Sequence, residues 1–335
     1  MKFTGNRRTT LATAVLVVCV AVPNHLFSQS TQNFPTNATF TDAALTDSTP
    51  HLTTESAFSP DRIKELMRPT FTFVSDWQPQ RDSNDVGIYS ASGRISFPTY
   101  PIFGPPPPII SPGFRYTNLD APERFRLPSD LYEYQLQLAW MRRINDRWML
   151  RFMAGTTFAT DGENTSSDAW RFTGGAFAMY RRNSVWTWTF GAIALGRNDL
   201  PVLPAVGVIY QPTDHLRVDL IMPRPKISCL LKDNGDRQQW AYLGASLNGA
   251  TWGVDREIAD ANGETNIDDQ LSYGDVRFAL GWESTPRQEP GIPFTRGRKL
   301  GLEIGYAFSR DFEWESDDSN ISLADTLSVR GTISF

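Results

Sequence analysis

The sequence predicts an all-β chain, a transmembrane antiparallel up-and-down β-barrel of about fourteen strands, and three observations carry that prediction. Apolar and polar residues alternate with period two over many segments, several longer than ten residues. Aromatic residues crowd the ends of the apolar faces, while Ala, Gly, Leu and Val fill the middles, as in Phe190-Gly191-Ala192-Ile193-Ala194. The stretch "DTLSVRGTISF" sets Leu327, Val329, Gly331, Ile333 and Phe335 at every second position, with Thr326, Ser328, Arg330, Thr332 and Ser334 between them. A frayed tail would not keep such order to Phe335.

Alternation alone fits a soluble sandwich as well, because that fold turns its polar face outward. The aromatic placement decides for the membrane. Tyr132, Tyr134, Trp140, Trp148, Trp170, Tyr180, Trp186, Trp188, Tyr210, Trp240, Trp282 and Tyr306 are the expected interfacial girdle.

The chain divides into three parts. Residues 1–30 are expected to be a signal peptide: Lys2, Arg7 and Arg8 precede a twelve-residue apolar run, Leu11 to Val22, and Ser28-Gln29-Ser30 follows. Residues 31–68 form a disordered leader rich in Ser, Thr, Asn and Ala, with a short helix near 60–67 opened by Ser59-Pro60-Asp61. Residues 69–335 form the barrel. Cys19 lies in the apolar run, so after cleavage Cys229 is the remaining cysteine and no intramolecular disulfide is possible.

Composition narrows the function classes. A net charge of -5 gives no polybasic footprint for nucleic acid. Mean hydropathy is -0.34, and no second apolar run reaches eighteen residues, which excludes a helical membrane protein. A barrel passes this test because half of its strand residues face a polar lumen.

The strands are expected at 70–78, 86–97, 112–119, 131–144, 147–160, 168–182, 184–196, 203–211, 214–222, 226–232, 237–254, 272–284, 298–311 and 323–335. The third and tenth are short, so a count of twelve stays open. Parity supports fourteen. Short connections at Asn145-Asp146, Arg182-Asn183, Pro212-Thr213-Asp214 and "DNGD" (233–236) belong on the inner side, with the Pro-rich 285–297. The longer 160–168, 196–204 and 311–320 then lie outside.

The polar faces supply the candidate lumen charges: Glu133, Arg147, Arg151, Arg171, Arg217, Asp219, Asp275, Arg277, Glu283, Lys299, Glu303 and Arg330. Carboxylates among them could do acid–base work, but pairing with Arg147, Arg151, Arg171, Arg277 and Lys299 across the lumen is the plainer expectation. No catalytic constellation is expected. His25 and His51 fall outside the barrel, and His215 follows a tight turn with no nucleophile beside it.

No cofactor or metal is expected. Asp260, Asn262, Gly263 and Asp269 match positions of a calcium loop, yet Ile258 stands at the first ligand position, so 258–269 reads as a polar surface loop. The acidic run Asp311, Glu313, Glu315, Asp317 and Asp318 reads as a solvated loop. Pro223 and Pro225 cannot donate to a ladder and fit a strand end at the rim. Cys229 reads as a small packing residue.

A resemblance adds to this. "LPAVGVIYQPTDHLRVDLIMPRPKIS" (203–228), "WAYLGASLNGATWGV" (240–254), "YGDVRFALGWE" (273–283) and the ending from Gly301 resemble an uncharacterised family of bacterial outer-membrane β-barrels, catalogued as a domain of unknown function. The likeness covers most of residues 70–335 and is densest after Leu203; Met222 stands where an aromatic is expected. It implies export, a barrel and the cell outer membrane, and no chemistry. The ending, through Leu327, Val329, Ile333 and Phe335, also resembles the recognition signal of such barrels. That implies barrel-assembly machinery, outer-membrane lipid and lipopolysaccharide as partners. The expected role is a passive pore or small-solute channel, with a non-conducting surface barrel as the alternative, its loops 160–168, 255–271 and 311–322 binding a partner, lipid or envelope polymer.

Overall fold

A computed structural model describes residues 69–100, 106–194, 202–260, 263–287, 297–316 and 319–335. The expected signal peptide, leader and short helix lie outside the described residues.

The first six strands are β1 (Thr70–Gln78), β2 (Gly87–Pro98), β3 (Ile109–Asp120), β4 (Asp130–Arg143), β5 (Trp148–Thr160) and β6 (Trp170–Arg181). Four shorter ones follow: β7 (Trp186–Ala194), β8 (Val202–Thr213), β9 (Leu216–Ile221) and β10 (Lys226–Asp233). The set ends with β11 (Arg237–Asp260), β12 (Gly263–Pro286), β13 (Lys299–Trp314), β14 (Asn320–Leu323) and β15 (Thr326–Ser334).

Each strand from β1 to β13 pairs antiparallel with the next; β13 then pairs β15, and β15 pairs β1. The ring has fourteen strands, as parity required, and β14 is a flap paired to the end of β13. Through the band that all fourteen strands share, closure leaves no unpaired edge. The seam runs to Phe335, whose N–H and carbonyl exchange hydrogen bonds of 2.9 and 2.8 Å with Phe71. β3, expected to be short, has 12 residues.

Burial is inverted relative to a soluble protein. On β4, Tyr134, Leu136 and Leu138 are exposed while Glu133 is buried. Phe172 and Leu280 are 69% and 65% exposed, whereas Arg277 and Arg310 keep 4% and 1%. The apolar face therefore points out and the charged face in.

Two tiers of aromatic contacts bound the outward band. Phe158 packs on Trp170 with ring centroids 5.1 Å apart, and Trp148 on Tyr180 at 4.9 Å. Both pairs join β5 to β6 by register. Between them lie Leu150, Phe152, Ala154 and Thr156 on β5, with Phe172, Gly174, Ala176 and Ala178 on β6. Trp186 and Tyr210 extend the lower tier at 4.3 Å. Trp240 does not belong to it. Its register partner Leu230 and its neighbour Tyr242 place it on the inward face of β11.

Three further expectations change. Residues 255–271 are not a loop: β11 and β12 continue to Asp260 and from Gly263 as a hairpin of two 24-residue strands. Beyond the apolar band both faces of a strand meet polar surroundings, so alternation fades and the segment looks like a loop in sequence. Likewise β13 runs on to Trp314 instead of giving way to an acidic loop at 311. Cys229 is exposed on the outer face of β10, not packed inside.

Candidate functional site

The lumen is layered. At the end away from the β1–β15 seam's Phe335, buried apolar side chains fill the interior: Val86, Leu131, Trp252, Leu271, Phe312 and Trp314, with Phe125 and Leu127 packed against them. Phe125 comes from a 3-10 helix, Glu123–Phe125, in the β3–β4 connection.

Phe312 and Trp314 reach this cluster through a bulge. Between Gly274 and Val276 of β12 the partner register on β13 jumps from Asp311 to Phe308, one extra residue, and Ser309 takes φ 49°. The extra residue turns Arg310, Phe312 and Trp314 inward. Arg310 then donates to Asp85 at 3.2 Å, to the Val86 carbonyl at 2.7 Å and to the Ala324 carbonyl at 2.6 Å. These bonds tie β13 to the β1–β2 connection and to the link between β14 and β15.

The same end is drawn together across the ring. β9 and β10 are short and meet at Met222-Pro223-Arg224-Pro225, so β11 rises above them without a neighbour on that side. The carbonyls of Pro225 and Pro223 accept from Ala245 and Leu247, and Arg224 donates to Asn248 at 3.0 Å just beyond them. Higher up, Gly253 pairs with Thr160 of β5, and its carbonyl accepts from Asp161. Asn164 donates to the Val254 carbonyl at 3.0 Å, and Asp161 accepts from the Asp255 N–H at 2.7 Å. A Cβ at position 253 would lie 2.8 Å from the Ala169 nitrogen, so only glycine allows this approach.

Below the apolar layer lies a charged one. Arg277 donates to Asp76 and Asp275, each at distances down to 2.7 or 2.8 Å. Arg330 shares Asp76 at 2.7 Å and approaches Glu303 at 3.8 Å. Asn248 and Tyr273 donate to Asp275 at 2.7 and 3.0 Å. Buried carboxylates are stable only with such partners. Around the wall, Arg115 meets Glu133 at 3.4 Å, Arg217 meets Asp219 at 2.9 Å, and Lys226 meets Glu283 at 3.7 Å.

The structure thus gathers Asp275, Arg277, Glu303 and Arg330 in one network. Asp275 takes Arg277, one of its expected partners, and the other lumen carboxylates pair differently from expectation. Glu133 takes Arg115, Glu283 takes Lys226 and Glu303 takes Arg330, while Asp275 and Arg277 are two residues apart on one strand. Arg171 reaches the Thr251 carbonyl at 3.2 Å and Gln270 at 3.3 Å, bracing the far-end bridge. Arg151 lies over the Phe177 ring. Lys299 is half-buried at the opposite end. Arg147 is a correction: it stands exposed in the β4–β5 turn, because its strand starts one residue later, at Trp148.

Asp76, Asp85, Arg115, Lys226 and Arg310 were missed. Asp76 was legible, since Phe71, Phe73 and Trp77 mark the opposite face of β1. Arg310 was not, because the bulge reverses its parity.

The calcium-loop candidate falls on the β11–β12 hairpin. There Asp269 is buried and ion-paired with Arg256 at 3.1 Å. No group of three or more His, Cys, Asp or Glu among the described residues is placed to hold a metal ion.

No curated protein matches the chain. Among solved structures, a bacterial polysaccharide outer membrane secretin is 8% identical with TM-score 0.37, covering 80% of this chain and 97% of its own. An outer membrane channel from Pseudomonas putida F1 is 11% identical with TM-score 0.37, covering 80% and 96%. The porin NanC is 10% identical with TM-score 0.34, covering 79% and 98%. The family match is narrower than the sequence resemblance, running from β3 into β11, so 273–283 and the ending lie outside it. Residues 109–255 match the family model of a domain of unknown function, DUF6268, and the strands in that stretch close into one ring with those that flank it.

Proposed function

We propose that the protein is an outer-membrane β-barrel with a channel-like lumen that rests closed at one end. One observation carries the membrane reading: an outward apolar band lies between two aromatic tiers, with the charges within. The tiers stand ten residues apart on both β5 and β6, about 34 Å along a strand. A tilt of about 40° reduces this to about 25 Å along the axis, the height of a barrel's lipid-facing band. A closed ring satisfies its backbone hydrogen bonds without an edge, as hydrocarbon demands.

Closure rests on the apolar layer and on the Gly253–Thr160 bridge. A small solute would pass once the β11–β12 hairpin parts from β5. The ion-paired lumen favours a second reading, a non-conducting surface barrel.

Single-channel recording of the purified full chain in planar bilayers tests both. Wild type is expected to open rarely, and Gly253→Val, which cannot seat the hairpin on Ala169, to open more often. A large, constantly open wild-type conductance would contradict the closed state. Silence from both proteins, with residues 31–68 present or deleted, would leave the surface barrel.

A further inference from the structure

The charged layer borders a cavity lined by Asp76, Arg94, Arg115, Glu133, Arg277 and Arg330. Five of these six have an oppositely charged partner. Among the described residues Arg94 has none, and its side chain makes no hydrogen bond or ion pair with any of them. A guanidinium in a confined lumen without a counter-charge is unusual, because the charged form loses water and gains nothing in return.

Its surroundings sharpen the point. Arg94 faces Gly113 on β3 and Thr72 on β1, so no bulky side chain covers its stem. Ser92 faces Arg115, which makes Arg94 and Arg115 diagonal neighbours on one wall, about 7 Å apart. With backbones that close on one face, two flexible guanidinium groups come within reach of each other, and like charges there repel unless an anion joins them. Glu133 holds Arg115 from the far side through a long contact, both oxygens being 3.4 Å from the same nitrogen, and it also accepts from Gln135 at 2.9 Å. Ser90, Ser92 and Thr117 line the same wall and offer hydroxyl donors. Apart from Glu133, and from Asp76 beside Ser90, which Arg277 and Arg330 already hold, this side of the cavity presents donors and positive charge.

We propose that Arg94 and Arg115 form an internal site for a small oxyanion, a carboxylate or phosphate group. A guanidinium takes two oxygens of such a group at once, and Arg115 and the serine hydroxyls complete the contacts. The inference rests on the membrane reading, which makes the lumen hydrophilic, and not on conduction.

The test uses the purified full chain, folded in detergent. Inorganic phosphate and acetate are titrated separately against chloride at constant ionic strength, with the thermal unfolding midpoint as readout. Wild type is expected to gain stability with at least one of them, and Arg94→Gln to bind about tenfold more weakly, the effect of losing a charge-assisted hydrogen bond. Arg94→Lys should recover part of the affinity. Preference for phosphate assigns a tetrahedral ligand, and equal response to acetate a carboxylate. No response from wild type, or equal affinity in wild type and Arg94→Gln, overturns the site. Gel migration of unboiled samples reports separately whether each protein is a folded barrel. A wild type that folds as a barrel without binding would defeat the site and leave the membrane reading standing.

Discussion

Arg277 donates from one terminal nitrogen to both carboxylate oxygens of Asp76, at 3.0 and 2.7 Å, across 201 positions of sequence. Its remaining nitrogens go to Asp275, at 2.8 to 3.1 Å. One guanidinium therefore bonds two buried carboxylates, with Arg330 supplying the second positive charge at Asp76, and joins β12 to β1 across β13 and β15.

Removing that guanidinium leaves Asp275 without a cation and Asp76 with Arg330 alone. Arg277→Gln is expected to cost about 3–5 kcal/mol, the loss seen when one member of a buried ionic network is deleted. Asp76→Asn should cost less, since Arg277 keeps Asp275 and Arg330 keeps Glu303. Urea unfolding of the barrel in vesicles measures both. Equal stability of Arg277→Gln and wild type would mean that water screens this layer.

The outward band predicts a depth-dependent penalty. Phe152 lies between the tiers on β5 and Trp148 lies in one of them, so Phe152→Arg should destabilise by about 2–4 kcal/mol and Trp148→Arg by no more than about 1 kcal/mol. The same unfolding experiment compares them. Penalties that do not differ with depth would argue against hydrocarbon around β5.

Phe335 stacks on Phe71 with ring centroids 5.6 Å apart, at the seam that closes the ring. Phe335→Ala keeps the paired backbone hydrogen bonds and loses the ring contact, a change of about 1 kcal/mol. Refolding from urea should therefore be nearly normal. If Leu327, Val329, Ile333 and Phe335 also act as an assembly signal, the folded protein recovered from outer membranes should fall by much more than stability explains. Matched losses in the two experiments would leave Phe335 a packing residue only.

What the sequence determined by itself was whatever depends on neighbours along one strand. Side chains alternate across a strand with fixed period, so Tyr134, Leu136 and Leu138 could be set against Glu133 without knowing any partner. Fourteen strands followed from turn lengths and parity. Only the tertiary structure decided which charges meet, because Asp76 and Arg277 approach through ring closure and no local pattern encodes it. It also decided the far-end closure. The extra residue at Ser309 reverses the facing of Arg310, Phe312 and Trp314, and Gly253 reaches Ala169 because β9 and β10 stop short. The first depends on the register of β13 against β12 and the second on how far β9 and β10 run, which are properties of the closed ring and not of any one segment.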